Sequence, residues 1–166
     1  MLKNNLLAVF DLDFTVWDCS GTWCDHTSPP YRKSNGKLID RTGRIIRLYD
    51  NILPLFSKLR NNGVQIASAS RTGEPAWAKN LLMLFGIYDC FNYHEIYPSC
   101  KIDHFRSLHL RSGIDYCNMI FFDDEHRNIE DVGSLGVTTC HVTDSNRDRM
   151  GDALDSWFKK LCGAGM

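Results

Sequence analysis

Leu6-Leu7-Ala8-Val9-Phe10-Asp11-Leu12-Asp13-Phe14-Thr15 is the stretch that decides how this chain folds. Its apolar half has the length and continuity of a strand buried on both faces, and Asp11 ends it. Asp11 and Asp13 therefore fall at the carboxyl end of a sheet strand, where open α/β sheets take their ligands. Read as extended chain, residues i and i+2 share one face. Two carboxylates there crowd each other unless a cation lies between them or they share a proton. A strand closed by two solvated acids has the same spelling, so the rest of the chain must separate the two readings.

Composition narrows the field. The chain has 166 residues, with 19 Lys and Arg against 20 Asp and Glu and a formal net charge of −1. Such a balance provides no basic field for nucleic acid or for an acidic membrane surface. No apolar stretch approaches membrane-spanning length, and the N-terminus lacks a signal-peptide pattern. The cysteine count is seven, an odd number in a chain without an export signal, which implies reduced thiols and a cytoplasmic location. Residues 1–166 are expected to form one domain.

Beyond the first strand, β and α signals alternate. Residues 16–47 are rich in Gly, Pro, Ser, Asn and charge, and Asn35-Gly36 is a tight-turn signal. This stretch reads as a flap over the strand end, part of it a hairpin, and too short for a cap domain. Its Cys19, Cys24 and His26 lack a fourth partner at zinc-ligand spacing, so a zinc site is not expected. Helices are expected over 50–62, with Ile52, Leu55, Phe56 and Leu59 inward, and over 74–85, with Trp77, Leu81, Leu84 and Phe85 inward. Another begins after Lys101 with Ile102, Phe105 and Leu108 inward, and a short one spans about 128–135. The last covers 147–161, with Met150, Leu154, Phe158 and Leu161 inward, before a frayed end at 163–166. Strands are expected at 64–69, 93–97, 118–122 and 137–142. Alternation of this kind implies a mainly parallel sheet with helices on both faces.

Laid on that scaffold, the polar residues gather. Asp11 and Asp13 follow the first strand, Ser70 and Arg71 the second, Lys101 the third, and Asp123 and Asp124 the fourth. In a parallel sheet these ends share one edge. Each residue type serves phosphoryl transfer, which needs charge support more than covalent elaboration. A carboxylate can attack phosphorus, a protonated carboxyl can supply the leaving oxygen's proton, and carboxylates hold a hard cation such as Mg²⁺. Singly, Ser70 reads as a helix cap, Lys101 as a solvated helix start and Asp123-Asp124 as strand punctuation. Their recurrence at successive strand ends favours a site.

The combination resembles the haloacid dehalogenase (HAD) superfamily, and within it the magnesium-dependent phosphatases. The likeness rests on Ala8–Trp17, on Ala69-Ser70-Arg71-Thr72, on Glu95-Ile96-Tyr97-Pro98 with Lys101, and on Phe121–Asn128. It is weakest in the flap, around Cys19–Cys24, and in the C-terminal helix. The resemblance implies a Rossmann-like α/β core. Many relatives add a cap domain, but here the first gap offers only the flap and residues 72–93 a single helix, so no large cap domain is expected. The resemblance also implies that Asp11 is the nucleophile of an aspartyl-phosphate mechanism and that Asp13 is the general acid, then base. Mg²⁺ would be held by Asp11, the Asp13 backbone carbonyl and Asp124, with Asp123 supporting. Ser70, Arg71, Lys101 and backbone N–H groups near Leu12 would bind substrate, and Asn128 would stand behind them. Phosphotyrosine and small sugar phosphates such as fructosamine 6-phosphate are the substrates it suggests, borne by a protein or free.

Other readings differ at particular residues. A dehalogenase needs neither an acid at Asp13 nor a metal at Asp124. A receiver-like phospho-accepting signalling module also gathers acids, a hydroxyl and a lysine on a parallel sheet, but its acid pair comes first and its phosphorylated Asp follows a middle strand. A phosphoprotein-binding pseudoenzyme would lack one of the catalytic positions, and none is missing.

Overall fold

Strand β1 (Leu7–Phe10) is buried on both faces, with all four residues at 0% exposure. In the computed structural model, which describes residues 5–164, the flap strands follow: β2 (Trp17–Asp18), β3 (Arg32–Ser34), β4 (Lys37–Ile39) and β5 (Ile45–Leu48). Then come α1 (Ile52–Asn61), β6 (Gln65–Ser70), α2 (Pro75–Leu84), β7 (Tyr93–Ile96) and α3 (Lys101–Ser112). The chain ends with β8 (Met119–Asp123), α4 (His126–Gly133), β9 (Thr138–His141) and α5 (Met150–Gly163). Of the C-terminal stretch expected to fray, Gly163 closes α5 and residues 165–166 lie outside the described residues.

Five strands form one parallel sheet in the order β7-β6-β1-β8-β9. The order reverses beside β1, between β6 and β8, which is where doubly wound sheets open a ligand crevice. Alternation along β1 feeds two cores. Ala8 and Phe10 join the cluster filled by α1, α2 and α5, whereas Leu7 and Val9 join the one filled by α3 and α4. Phe10 stacks on Phe122 with ring centroids 4.9 Å apart and meets Phe56 edge-on at 5.1 Å. Aromatic packing of this kind ties the two central strands to α1. No helix among the described residues is long and apolar enough to cross a membrane.

The helices form for local reasons and aim for tertiary ones. Pro75 opens α2 at a position that needs no N–H, and Gly113, at φ +70°, ends α3 in the left-handed region. Three inward faces differ from the periodicity reading. On α2 the buried residues are Ala78, Leu81 and Leu82, while Trp77, Leu84 and Phe85 pack at its margin. On α3 His104 is buried and Ile102 only partly so. On α5 Trp157 is inside and Phe158 is at the edge. Where apolar residues occupy adjacent positions, the angle at which a helix sits on the sheet selects which one is buried. The 147–149 segment is a 3-10 turn leading into α5, and α4 starts two residues earlier than its pattern suggests.

The flap is more ordered than a single hairpin. Its strands make a four-stranded antiparallel sheet in the order β2-β5-β4-β3. Asn35 (φ 51°) and Gly36 (φ 75°) close the two-residue turn between β3 and β4. The only helical segment among its described residues is one 3-10 turn, Cys24–His26. Among the described residues no large cap covers the sheet's carboxyl edge.

Candidate active site

Asp11 continues the sheet for one step, its N–H donating to Phe122 O at 3.0 Å, and then the chain reverses. Leu12 O accepts from Thr15 N at 3.1 Å, Val16 N at 2.8 Å and Trp17 N at 3.3 Å. Phe14 sits at φ 61°, and its N–H donates to Trp17 O at 2.8 Å. Asp13 is therefore not two steps along an extended strand from Asp11. It projects from a tight turn that brings Trp17 back beside it. Burial of Leu12 and pairing of Trp17 with Leu48 in the flap sheet pull the chain out of the strand path.

That turn puts Asp13 in the grip of the flap. Its Oδ1 accepts from the Trp17 indole N–H at 2.8 Å and from the Cys24 backbone N–H at 2.9 Å, with the Cys19 thiol at 3.8 Å. Burial pushes the Asp13 carboxyl up to about 6, and Asp11 adds to the push while the donors on Oδ1 oppose it. A carboxyl so placed can carry a proton near neutrality and give it up.

Lys101, only 1% exposed, stands at the first residue of α3 and reaches back under β1. Its Nζ donates to Asp11 Oδ1 at 2.8 Å and to the Ala69 carbonyl, and lies 3.4 Å from Asp123 Oδ2. Asp123 is fully buried. Its Oδ1 accepts from Glu125 N at 2.7 Å and its Oδ2 from Asn128 Nδ2 at 3.1 Å. Asp11, Asp123 and Asp124 each offer a carboxylate oxygen within 4.8 Å of the others. Burial and the neighbouring Asp11 charge push Asp124 up to about 9 and Asp123 up to about 7. Hard oxygen donors crowded until they hold protons fit a hard divalent cation, which would take the protons' place. The Asp13 carboxylate is not part of this group; its flap contacts account for its oxygen.

Ser70 ends β6, buried, and its Oγ accepts from Thr72 N at 3.3 Å. Arg71 is exposed and donates to Asn128 Oδ1 at 3.4 Å. Asn128 thus joins the Arg71 guanidinium to Asp123. The Leu12 side chain lies in the core, so only its backbone can meet a ligand. An open cleft of about 340 Å³ brings together Asp11, Asp13, Ser70, Arg71, Lys101 and Asp124. Trp23, Asp25 and His26 of the flap form its far wall. Cys19 and Cys24 are buried beside Asp13 whereas His26 is exposed, and among the described residues only the three aspartates converge as a metal-binding group.

Sequence reasoning passed over Asp25, Thr72, Glu125 and Arg127, which also line the cleft. Asp25 and Thr72 arrive together because the flap meets the start of α2. Gly73 N donates to Asp25 Oδ2 at 3.4 Å, and Cys24 Sγ lies 3.3 Å from Thr72 Oγ1. No local pattern announces a contact between segments so far apart. Glu125 and Arg127 did carry a signal, since they sit within the Asp-Asp motif itself.

Comparison with known proteins agrees with this geometry. The profile of the family described as Acid Phosphatase matches residues 4–160. The chain is 44% identical over 160 residues to human magnesium-dependent phosphatase 1, spanning 95% of this chain and 89% of that protein. It is 42% identical over 144 residues to a HAD-like hydrolase superfamily protein of Schizosaccharomyces pombe, covering 79% of this chain and 81% of the other. Among solved structures, a haloacid dehalogenase-like hydrolase of Streptococcus pneumoniae superposes with a TM-score of 0.60 at 13% identity, over 86% of each chain. A HAD family enzyme of Bacteroides thetaiotaomicron, solved with magnesium and inorganic phosphate, superposes with a TM-score of 0.60 at 14% identity, over 83% of this chain and 94% of that one. At such identities the two structures speak for the fold.

Proposed function

Because the chain belongs to the acid phosphatase family, within the HAD fold, we propose that it is a magnesium-dependent phosphomonoesterase that works through an aspartyl-phosphate at Asp11. The observation that carries the reading is the convergence of Asp11, Asp123 and Asp124 on one point at the carboxyl edge of the sheet, with buried Lys101 behind them. Each residue then has a task. Asp11 attacks phosphorus as its ester bond breaks. Asp13 gives the leaving oxygen a proton, then takes one from the water that attacks the acyl phosphate, releasing phosphate and restoring Asp11. Ser70 Oγ hydrogen-bonds a phosphoryl oxygen, with the backbone N–H at Leu12 helping, and Arg71 faces the substrate. Lys101 holds Asp11 in line and offsets the charge gathered around it.

Magnesium fits the donor set of Asp11, Asp124 and the Asp13 backbone carbonyl, with Asp123 in support, and would neutralise charge between nucleophile and phosphoryl group. The open cleft suits a phosphoryl group on phosphotyrosine or on a small sugar phosphate such as fructosamine 6-phosphate, because nothing large among the described residues closes over it. The test is hydrolysis of 4-nitrophenyl phosphate with and without Mg²⁺. Turnover that Mg²⁺ restores after chelation supports the reading. Full turnover in chelator, or none with Mg²⁺ across a broad panel of esters, overturns it.

A further inference from the structure

We propose that Trp17 is a positioning residue for the acid step: its indole N–H, together with the Cys24 amide, commits Asp13 Oδ1 to the flap so that the transferable proton resides on Oδ2. The inference rests on the acid role proposed for Asp13 and goes beyond it, assigning the flap a part in catalysis. Both donors meet the same oxygen, at 2.8 Å and 2.9 Å. Neither can accept a proton, because an indole N–H and a peptide N–H only donate. A carboxyl oxygen that accepts two such bonds is the carbonyl-like one, and the acidic hydrogen belongs on the other. Among the described residues no hydrogen bond reaches Oδ2, while Asp13 still lines the cleft. Oδ2 is thus the oxygen left for the substrate.

The indole is itself fixed. Trp17 is fully buried, pairs with Leu48 through the flap sheet, and stacks at 6.2 Å on Phe85. Its N–H cannot follow Asp13 into a second rotamer, so the carboxyl is held with one edge toward the cleft. Bond making and breaking stay balanced: the Oδ2–H bond breaks as the leaving oxygen gains that hydrogen, and the P–O bond to it breaks. Loss of the indole N–H frees the carboxyl to turn and places its proton on either oxygen.

Leaving-group chemistry separates positioning from mere support of the fold. A 2,4-dinitrophenolate departs without a proton, whereas the alkoxide of a hexose 6-phosphate needs one. Replacing Trp17 by 3-benzothienylalanine removes the N–H at nearly constant shape, and Trp17→Phe is the simpler companion if that protein folds. The readout is the rate of Asp11 phosphorylation in a rapid-quench single turnover, which excludes the later step where Asp13 acts as base. We expect reaction with hexose 6-phosphate to slow on the order of 10- to 100-fold, as for other small misplacements of a reacting group, with that of dinitrophenyl phosphate nearly unchanged. In an Asp13→Asn background the replacement should add no further selectivity. Equal loss of the phosphorylation rate on both esters, or loss on neither, overturns the proposal. If Asp13→Asn itself slows Asp11 phosphorylation by both esters alike, the acid role of Asp13 fails instead, so the two failures are told apart.

Discussion

Lys101 Nζ lies 2.8 Å from Asp11 Oδ1 although 90 positions separate the two residues, and the lysine is almost without water. A buried ammonium is stable only because Asp11, the Ala69 carbonyl and Asp123 surround it. The same cation is what allows two carboxylates to approach so closely at the end of β1 and β8.

Lys101→Met should therefore act on both stability and rate. Breaking a buried pair by removing one partner costs about 3–5 kcal/mol. Proton uptake by the abandoned carboxylates moderates that loss, and urea titration in chelator should show a loss toward the lower end of that range. Turnover should fall by roughly 10²-fold or more, because a preorganised charge at the reacting centre is gone. A variant with wild-type turnover would remove Lys101 from the site.

Metal and pH should be coupled. Asp124 and Asp123 have carboxyls pushed up by burial and by the neighbouring Asp11 charge, Asp124 to about 9. A carboxyl with a raised value in the folded protein binds protons more tightly there than when unfolded. Its stabilising effect is complete below the unfolded value of about 3.9 and is lost as pH rises through the folded value. In chelator, melting temperature should thus decline from about pH 4 toward pH 9. Mg²⁺ should reverse the trend by replacing the protons, stabilising by about 2.7 kcal/mol at one hundred times its dissociation constant. Asp124→Asn should flatten the decline and abolish the Mg²⁺ effect. Calorimetry across pH, with and without Mg²⁺, reads all of these.

Trp23 is 48% exposed at the cleft wall, held edge-on by Phe14 at 5.9 Å and by His26 at 5.4 Å. Under the phosphatase reading it meets the leaving group and not the phosphoryl group. Trp23→Ala should raise KM for bulky ring-bearing esters by about tenfold, the order of one aromatic contact, and leave kcat in place. A fall in kcat with KM unchanged would put Trp23 elsewhere in the mechanism.

Much of this arrangement was legible before any coordinates. Continuous apolar runs marked β1 and β8, and a parallel sheet has only one edge where their acids can emerge. Asp11, Ser70, Lys101 and Asp124 accordingly meet where strand order requires. Ser70 and Asp123 close their strands instead of following them, a shift of one residue. Asp13 was harder. Its spacing suggested a shared strand face, but pairing of Trp17 with Leu48, a long-range contact, turned the chain at Leu12. The same contact gave the flap its sheet and set Trp17 and Cys24 on Asp13. Local pattern also mistook Phe158 for the inward aromatic of α5, because Trp157 and Phe158 are both apolar and only packing chooses between them.

The central claim is that Asp11 carries the phosphoryl group and Asp13 helps to remove it. Asp13→Asn keeps the backbone carbonyl and the fold but loses the proton donor, a loss of roughly 10²–10⁴-fold in turnover. The direct measurement is rapid quench of wild type and Asp13→Asn with an activated aryl phosphate and Mg²⁺, followed by intact mass and peptide mapping. The account predicts a phosphorylated Asp11 that decays in wild type within a catalytic cycle, at about 1–10³ per second, and that persists in Asp13→Asn. An adduct on Asp123 or Asp124 that survives many minutes in wild type would contradict it and identify a receiver-like phosphate acceptor.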